Sequence, residues 1–390
     1  MTAIIRNQRV RNNLYQAAVL VAALMVLVSF VVTARQNLID QGIATGFDFL
    51  YRSTGWDISF ALMDYSIRDP YWKVLLIGFE NSILVGLMGL FFATIFGTLI
   101  GVARVMPNPV LNLIGTIYVE IFRNIPLILQ GFFWYGVFTH LPRPRQAYVF
   151  ADAVFVSNRG IYFPFVQVSH GTFLFAVSCF IVATMVIVLL PKVSAIGHTR
   201  TGRRRLVGGS LLAAAALTVT AIIANYDPEV GLFTTPVLRG LRFEGGVRLM
   251  PEFTALLTAI VFFGSAYIAE IVRGGLLSVD KGQLEAAEAL GLKPFRVYWQ
   301  IRIPLALRAI MPPMGNQFVW LMKATTIGIA IGFSDLFMVT STAINQSGQT
   351  IELLFIMMAG FLLINYTIGS IMNAINRSIA LKGHETGGGK

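Results

Sequence analysis

Charge is scarce in this chain. Asp, Glu, Lys and Arg make up 13% of its 390 residues, where a soluble globular protein carries about a quarter. With 56% hydrophobic residues and a mean hydropathy of +0.70, composition places most of it in lipid. Cysteine is almost absent. The single Cys179 lies in an apolar run, which excludes an intrachain disulfide, a CxxC redox pair and a Cys-rich zinc site. Hydrolytic signatures are missing as well: there is no HExxH and no GxSxG, and His140, His170, His198 and His384 are scattered. No catalytic residue and no metal ligand is assigned. The terminal Gly387-Gly388-Gly389-Lys390 is not a phosphate loop, because Lys390 falls one place late for GxxxxGK and no Ser or Thr follows. It reads as a disordered tail, and the expectation is a chain with no ATPase and no bound cofactor of its own.

What the chain has instead is long apolar runs. A bilayer core of about 30 Å needs about 20 helical residues, and eight segments qualify. Tyr15 to Ala34, Asn81 to Ala103, Phe173 to Pro191, Leu206 to Tyr226 and Leu353 to Asn376 contain no charged residue. Three others carry ionisable groups: Val110 to Leu141 with Glu120 and Arg123, Phe253 to Val272 with Glu270, and Ala309 to Phe333 with Lys323. The fold class is therefore an all-α integral membrane protein of about eight transmembrane helices. The first run ends in Val32-Thr33-Ala34, which resembles a signal-peptidase site. It is longer than the roughly 7 to 15 apolar residues of a signal peptide, so an uncleaved anchor is expected.

The +11 net charge is explained by topology, because Lys and Arg gather on the cytoplasmic side of a membrane. With a cytoplasmic N-terminus and eight spans, the inside segments carry +14, the outside segments −2 and the spans −1. Both termini are then cytoplasmic. No nucleic acid partner is implied.

The segment from Val279 to Pro294 concentrates the remaining information. Gln283 to Leu290 are strong helix formers, Gly291 suits the left-handed position after a helix, and Pro294 suits the first turn of the next. Phe295, Tyr298 and Trp299 then form an apolar stripe at helical spacing, and small Ala286 and Ala287 permit close approach by another protein. By physics alone this is equally a solvated connector. The spacing Glu285-Ala286-Ala287, three residues, Gly291, nine residues, Ile301-Arg302-Ile303-Pro304 resembles the EAA loop of ABC-importer permeases, with Ile303 in place of the usual Leu.

Other segments resemble the polar amino acid branch of that family. They are Tyr118-Val119-Glu120-Ile121-Phe122-Arg123-Asn124-Ile125-Pro126-Leu127-Ile128-Leu129-Gln130, Ala266 to Gly275, Gly282-Gln283, Pro312-Pro313, Asn316, and Lys323-Ala324-Thr325-Thr326, where a Ser is commoner than Thr326. The resemblance implies a type I importer core of five helices. Residues 75–141 would be its first part, and 253–376 its second part with the coupling loop at 273–305. An anchor and external loop (1–74), an insertion with two extra helices (142–252) and a cytoplasmic tail (377–390) would be additions. Two inserted spans preserve the orientation of every later helix. Long permeases of this form resemble those of systems for general L-amino acids or for Glu, Gln, Asp and Asn. The resemblance further implies docking of an ATPase at Gly282, Gln283, Glu285, Ala286, Ala287 and Gly291, with ATP and Mg held by two partner ATP-binding subunits. A sister permease, a periplasmic amino-acid-binding protein and the bacterial inner membrane complete the implied assembly.

The buried charges leave two readings open, since ionisable groups in a membrane face protein or a cavity. Glu120 and Arg123, three apart, are placed to pair. Pro126 breaks the helix just beyond, so Glu120, Arg123, Asn124 and Pro126 form either a structural kink or a gate on the substrate path. Lys323, on one face with Asn316, is expected to balance Glu270 or to meet a substrate carboxylate, beside Thr325 and Thr326. Tyr267 and Glu270 sit one turn apart, with Glu270 as an anchor for the coupling loop. Gly86, Ala93, Gly97 and Gly101 form a small-residue stripe suited to tight helix packing. The competing functions are an ion-coupled secondary transporter using these charges as a relay, and a membrane-anchored signalling or assembly protein.

Overall fold

The computed structural model describes residues 8–40, 46–166, 172, 179, 200–224, 233–240 and 242–379. The protein is mainly helical. Helix α1 (Gln8–Asp40) is followed by α2 (Tyr71–Ala103), α3 (Pro109–Asn124) and α4 (Leu127–Thr139). Strands β1 (Tyr148–Phe150), β2 (Val154–Ser157), β3 (Gly160–Phe163) and β4 (Phe165–Val166) lead to α5 (Arg200–Ala224). Strands β5 (Phe233–Thr234), β6 (Val237–Arg239), β7 (Arg242–Glu244) and β8 (Val247–Leu249) return the chain to α6 (Pro251–Leu277). Then come α7 (Lys281–Ala289), α8 (Pro294–Val297), α9 (Ile303–Ala324), α10 (Leu336–Ser347) and α11 (Thr350–Ile379).

Among the described residues, four helices are singly long and apolar enough to cross a membrane, at Leu14–Thr33, Tyr71–Ala103, Pro251–Leu277 and Thr350–Ile379. Two more crossings are supplied if each bent pair counts as one: α3 with α4, bent by 102°, and Pro294–Ile331 with α10, bent by 50°. Of the expected inserted pair, the second run forms α5, whose apolar part is the shorter Gly208–Ala224. The first, Phe173 to Pro191, lies almost wholly outside the described residues.

The core is built on α2 and α6, which run side by side. Their register is set by glycine: a Cβ on Gly89 would lie 2.6 Å from Ile260, and one on Gly97 would lie 2.6 Å from Ile268. One on Gly101 would lie 2.7 Å from the Ala269 carbonyl oxygen. Close backbone approach of this kind is what small-residue stripes provide in lipid, where apolar burial adds little between helices. The expected stripe therefore has the packing role assigned to it. Helix α9 runs antiparallel to α6, with Gly264 against Leu321 and Gly275 against Ile310, and α11 returns antiparallel to α9, where Arg308 Nε donates to the Ile379 carbonyl at 3.0 Å.

A polar knot closes the end of the bundle where α2 and α6 begin. Phe60 stacks on Phe253 with ring centroids 5.2 Å apart, and fully buried Asn81 donates to the carbonyls of Phe60 and Ser334 at 2.9 and 2.8 Å. Ser82 Oγ accepts from Leu336 N, and Asp335 caps α10 by accepting from Met338 N. The run expected as one span from Ala309 to Phe333 is interrupted here. It passes into a 3-10 segment (Thr325–Ile331), and Gly332 at φ +78° turns the chain into α10, a helix beyond the end of that run which the hydrophobic pattern did not identify.

At the same end lies a small β structure that the sequence reading did not foresee. Its main sheet has the order β1-β2-β3-β8, and β4 pairs β5 antiparallel. These ladders pair residues 161–166 with residues 233–249, so the chain before and after α5 meets at one neck. Tyr162 and Phe155 both pack on Phe243, at 4.6 and 4.7 Å between ring centroids. The strands are two to four residues long, too short for an alternating pattern to be read from sequence.

The break between α3 and α4 has a clear local cause. Pro126 has no N–H and forces Ile125 into an extended conformation, ending α3. Buried Gln130 repairs the loss: its side-chain amide donates to the Phe122 carbonyl at 2.9 Å and to that of Ile125 at 3.0 Å. Replacing Gln130 by Leu strips both carbonyls of their side-chain donor. At about 0.5–1.5 kcal/mol for each hydrogen bond lost, a thermal unfolding midpoint lowered by a few degrees is expected. An unchanged midpoint would show that the amide does not hold the kink.

Candidate functional site

The segment that matches the EAA pattern folds as a compact hairpin. Asp280 caps α7 by accepting from Gly282 N at 2.7 Å. The helix stops as expected: Gly291 sits at φ +74°, its N–H donates to the Glu288 carbonyl, and Leu292 N donates to that of Ala287. Pro294 then opens α8, which runs through a π-helical segment (Tyr298–Arg302) into α9. The hairpin is thus the root of a core helix.

Its surface corrects one expectation. Ala287 is only 2% exposed, turned into the hairpin with Val297 also buried, so it is not offered to a partner. Gly282, Gln283, Glu285 and Ala286 are exposed, as is Gly291. The large apolar groups nearby are exposed too: Leu290 at 83%, Phe295 at 73% and Trp299 at 55%. Leu290 was taken for a helix former only. Its surface position follows from Gly291, because a residue in the last turn before a left-handed glycine projects past the end of the helix.

Glu270 anchors the helix that leads into this hairpin. One carboxylate oxygen takes Arg104 Nη1 at 2.5 Å, and the other takes Arg273 through its Nε at 3.1 Å and also its Nη2. The expectation that Lys323 balances Glu270 is therefore wrong. Both carboxylate oxygens are already taken, and Lys323 is exposed one turn beyond Trp320 on α9. Arg104 was missed because it lies just past the last residue of an apolar run, where a basic residue is ordinarily only a topology marker.

Glu120 and Arg123 do not pair either. Glu120 accepts from Asn124 at 3.3 Å, while the Arg123 guanidinium lies over the Tyr267 ring, 5.0 Å from its centroid. A cation over an aromatic face gains about 0.5–2 kcal/mol, and the α3–α6 crossing presents that ring where the i+3 carboxylate would otherwise be chosen. Tyr267 in turn packs near Phe263 at 4.8 Å and Trp320 at 6.4 Å between centroids. Arg123, Asn124, Pro126, Asn316 and Lys323 are all exposed on this chain, with Tyr267 half-buried among them. Thr325 and Thr326 direct their hydroxyls to backbone carbonyls three residues earlier. They donate to the Met322 and Lys323 carbonyls at 3.0 and 2.8 Å, and Thr325 is fully buried, so it cannot line a path. A cavity of about 310 Å³ beside Phe92, Phe96, Tyr118 and Phe262 is almost wholly apolar and has no place for a zwitterion.

Residues 250–381 match the family described as the inner membrane component of binding-protein-dependent transport systems. Several curated proteins resemble the chain nearly end to end. YhdX of Escherichia coli (strain K12), named as an amino-acid ABC transporter permease, is 38% identical over 96% of this chain and 95% of its own length. The general L-amino acid transport system permease AapQ of Rhizobium johnstonii is 37% identical over 88% and 86%. The glutamate/glutamine/aspartate/asparagine transport system permease BztB of Rhodobacter capsulatus is 32% identical over 98% and 96%. Identity of this degree over nearly the whole of each chain means that the chain belongs to the amino-acid permease family of ABC transporters, as a multi-pass inner-membrane transport subunit whose ATP is hydrolysed in a separate subunit.

Proposed function

We propose that this chain moves polar L-amino acids across the bacterial inner membrane as one half of a permease pair, the other half being a sister chain. General L-amino acids, or Glu, Gln, Asp and Asn, are the substrate classes carried by its relatives' names. The observation that carries the reading is the hairpin at 281–292. It presents the exposed Leu290, with exposed Phe295 and Trp299 just beyond it, between α6 and α9 at the sequence position where the family docks its ATPase. Both termini and residues 273–305 face the cytoplasm, in keeping with the sorted Lys and Arg.

In this reading two ATP-binding subunits, which hold ATP and Mg, engage Gly282, Gln283, Glu285, Ala286 and Gly291 with Leu290 and Phe295. Closure of the ATPases draws the hairpins together and turns the path outward, to a periplasmic binding protein that delivers the amino acid. Arg123 and Lys323, with Asn124, Asn316 and Tyr267, offer cationic and amide groups to the substrate carboxylate, and the break at Pro126 supplies the backbone irregularity of a gate. Glu120 borders the same face. The neck at β3–β8 and β4–β5 supports treating residues 142–252 as an insertion into the core formed by 75–141 and 253–376, with 1–74 and 377–390 as additions.

Expression with its neighbouring ATPase and permease subunits is the test. The chain should purify with an ATP-hydrolysing subunit, and amino-acid-loaded binding protein should raise hydrolysis several-fold. Purification of the intact chain without any ATPase would contradict the docking assignment.

A further inference from the structure

We infer that Arg104 is the positioning residue that links the ATPase-docking hairpin to the broken helix pair α3–α4. It acts as a tether between α6 and α3. The guanidinium reaches α6, where Nη1 donates to Glu270 at 2.5 Å. On the way it crosses α3: Nε donates to Thr116 Oγ1 at 3.4 Å, and the side-chain stem lies flat on Gly115, where a Cβ would come 2.7 Å from Arg104 Cγ. The backbone is held as well, since Asn112 Nδ2 donates to the Arg104 carbonyl at 2.6 Å. This side chain is only 9% exposed.

Four features make this more than a local ion pair. Glu270 lies on the last two turns of α6, which ends at Leu277, three residues before the Asp280 cap of the docking helix, so a shift of the hairpin reaches Glu270 through a short connection and the end of α6. Helix α3 ends at the Pro126 break, two turns or so beyond Thr116. Arg104 also bears the turn between α2 and α3, so it touches all three helices at one point. Finally, Glu270 has a second partner in Arg273, on its own helix. Removing Arg104 therefore leaves the carboxylate paired and the buried charge compensated, and takes away only the connection to α3.

The inference rests on the reading of residues 282–291 as the docking element, and its test reads a different quantity. In the full complex reconstituted in liposomes with its binding protein, ATP hydrolysed per amino acid imported is compared among variants. Misfolding lowers both rates together and leaves this ratio alone. Arg104→Gln should raise the ratio at least fivefold, while Arg104→Lys, which still reaches Glu270, should raise it less than half as much. Gly115→Ala keeps every charge and displaces only the stem, and should raise the ratio at least twofold. Arg273→Gln, which leaves α3 untouched, should stay within twofold of the unaltered chain. A ratio within twofold for Arg104→Gln overturns the tether, as does Arg273→Gln matching its effect. Should Arg104→Gln fail to assemble, a ratio for Gly115→Ala equal to that of the unaltered chain overturns it. Failure of the docking reading would show instead as ATPase binding that survives disruption of the hairpin surface.

Discussion

Leu290→Glu should reduce ATPase binding by at least about 30-fold while leaving the permease itself folded. In the isolated chain Leu290 is 83% exposed, so its replacement costs the fold within about 0.5 kcal/mol. In the docked complex proposed above the same side chain would be buried. Losing that burial costs about 2 kcal/mol, a factor of about 30, and the desolvated carboxylate left in its place adds more. The measurement is the fraction of ATPase retained on the purified complex, together with its stimulated hydrolysis. Normal retention would remove Leu290 from the interface. Gly291 provides a matched comparison. No atom lies within 4 Å of the Cβ it would carry, so its requirement is conformational alone. Gly291→Val meets the left-handed penalty of about 1–2 kcal/mol at φ +74° and should distort the hairpin, whereas Gly291→Asn should be nearly silent.

Gly97→Leu should nearly abolish accumulation of folded protein in the membrane. The first atom of any side chain there would come within 2.6 Å of Ile268 Cβ and 2.8 Å of the Ser265 carbonyl oxygen. A backbone oxygen cannot swing aside, so α2 and α6 would have to separate along the interface that organises the core. Even Gly97→Ala should cost about 1–3 kcal/mol. Gly274→Ala, in the same bundle with nothing within 4 Å of the added atom, should be neutral or slightly stabilising. The yield and thermal unfolding midpoint of the detergent-extracted protein check both. Equal midpoints for Gly97→Ala and Gly274→Ala would mean that the α2–α6 contact is looser than described.

Much of this was legible in the residues, for identifiable reasons. Glycine and proline punctuate helices by local geometry, so the stop at Gly291, the restart at Pro294 and the break at Pro126 followed from the sequence and stand in the structure. The packing role of Gly97 and Gly101 was legible for the same reason, since a missing side chain matters only where backbones approach. Partners of ionisable groups were not. Glu120 and Arg123 share a helix face, yet Arg123 turns to the Tyr267 ring on α6. Glu270 is satisfied by Arg104, 166 positions away, rather than by Lys323. Such choices are made by helix crossings, which no periodicity within one helix encodes. The repair of the kink by Gln130 belongs to the same class: the signature contained the residue, and only three dimensions show that its amide feeds the carbonyls freed by Pro126.

The most direct measurement of the account is amino acid uptake into liposomes holding the complete complex, with binding protein outside, ATP and Mg enclosed, and no ion gradient. Uptake should require both enclosed ATP and the binding protein, and Leu290→Glu should abolish it. Uptake that persists without ATP and instead follows an imposed proton or sodium gradient would show that the intramembrane charges carry a relay, and would contradict the assignment of this chain as an ATP-driven permease subunit.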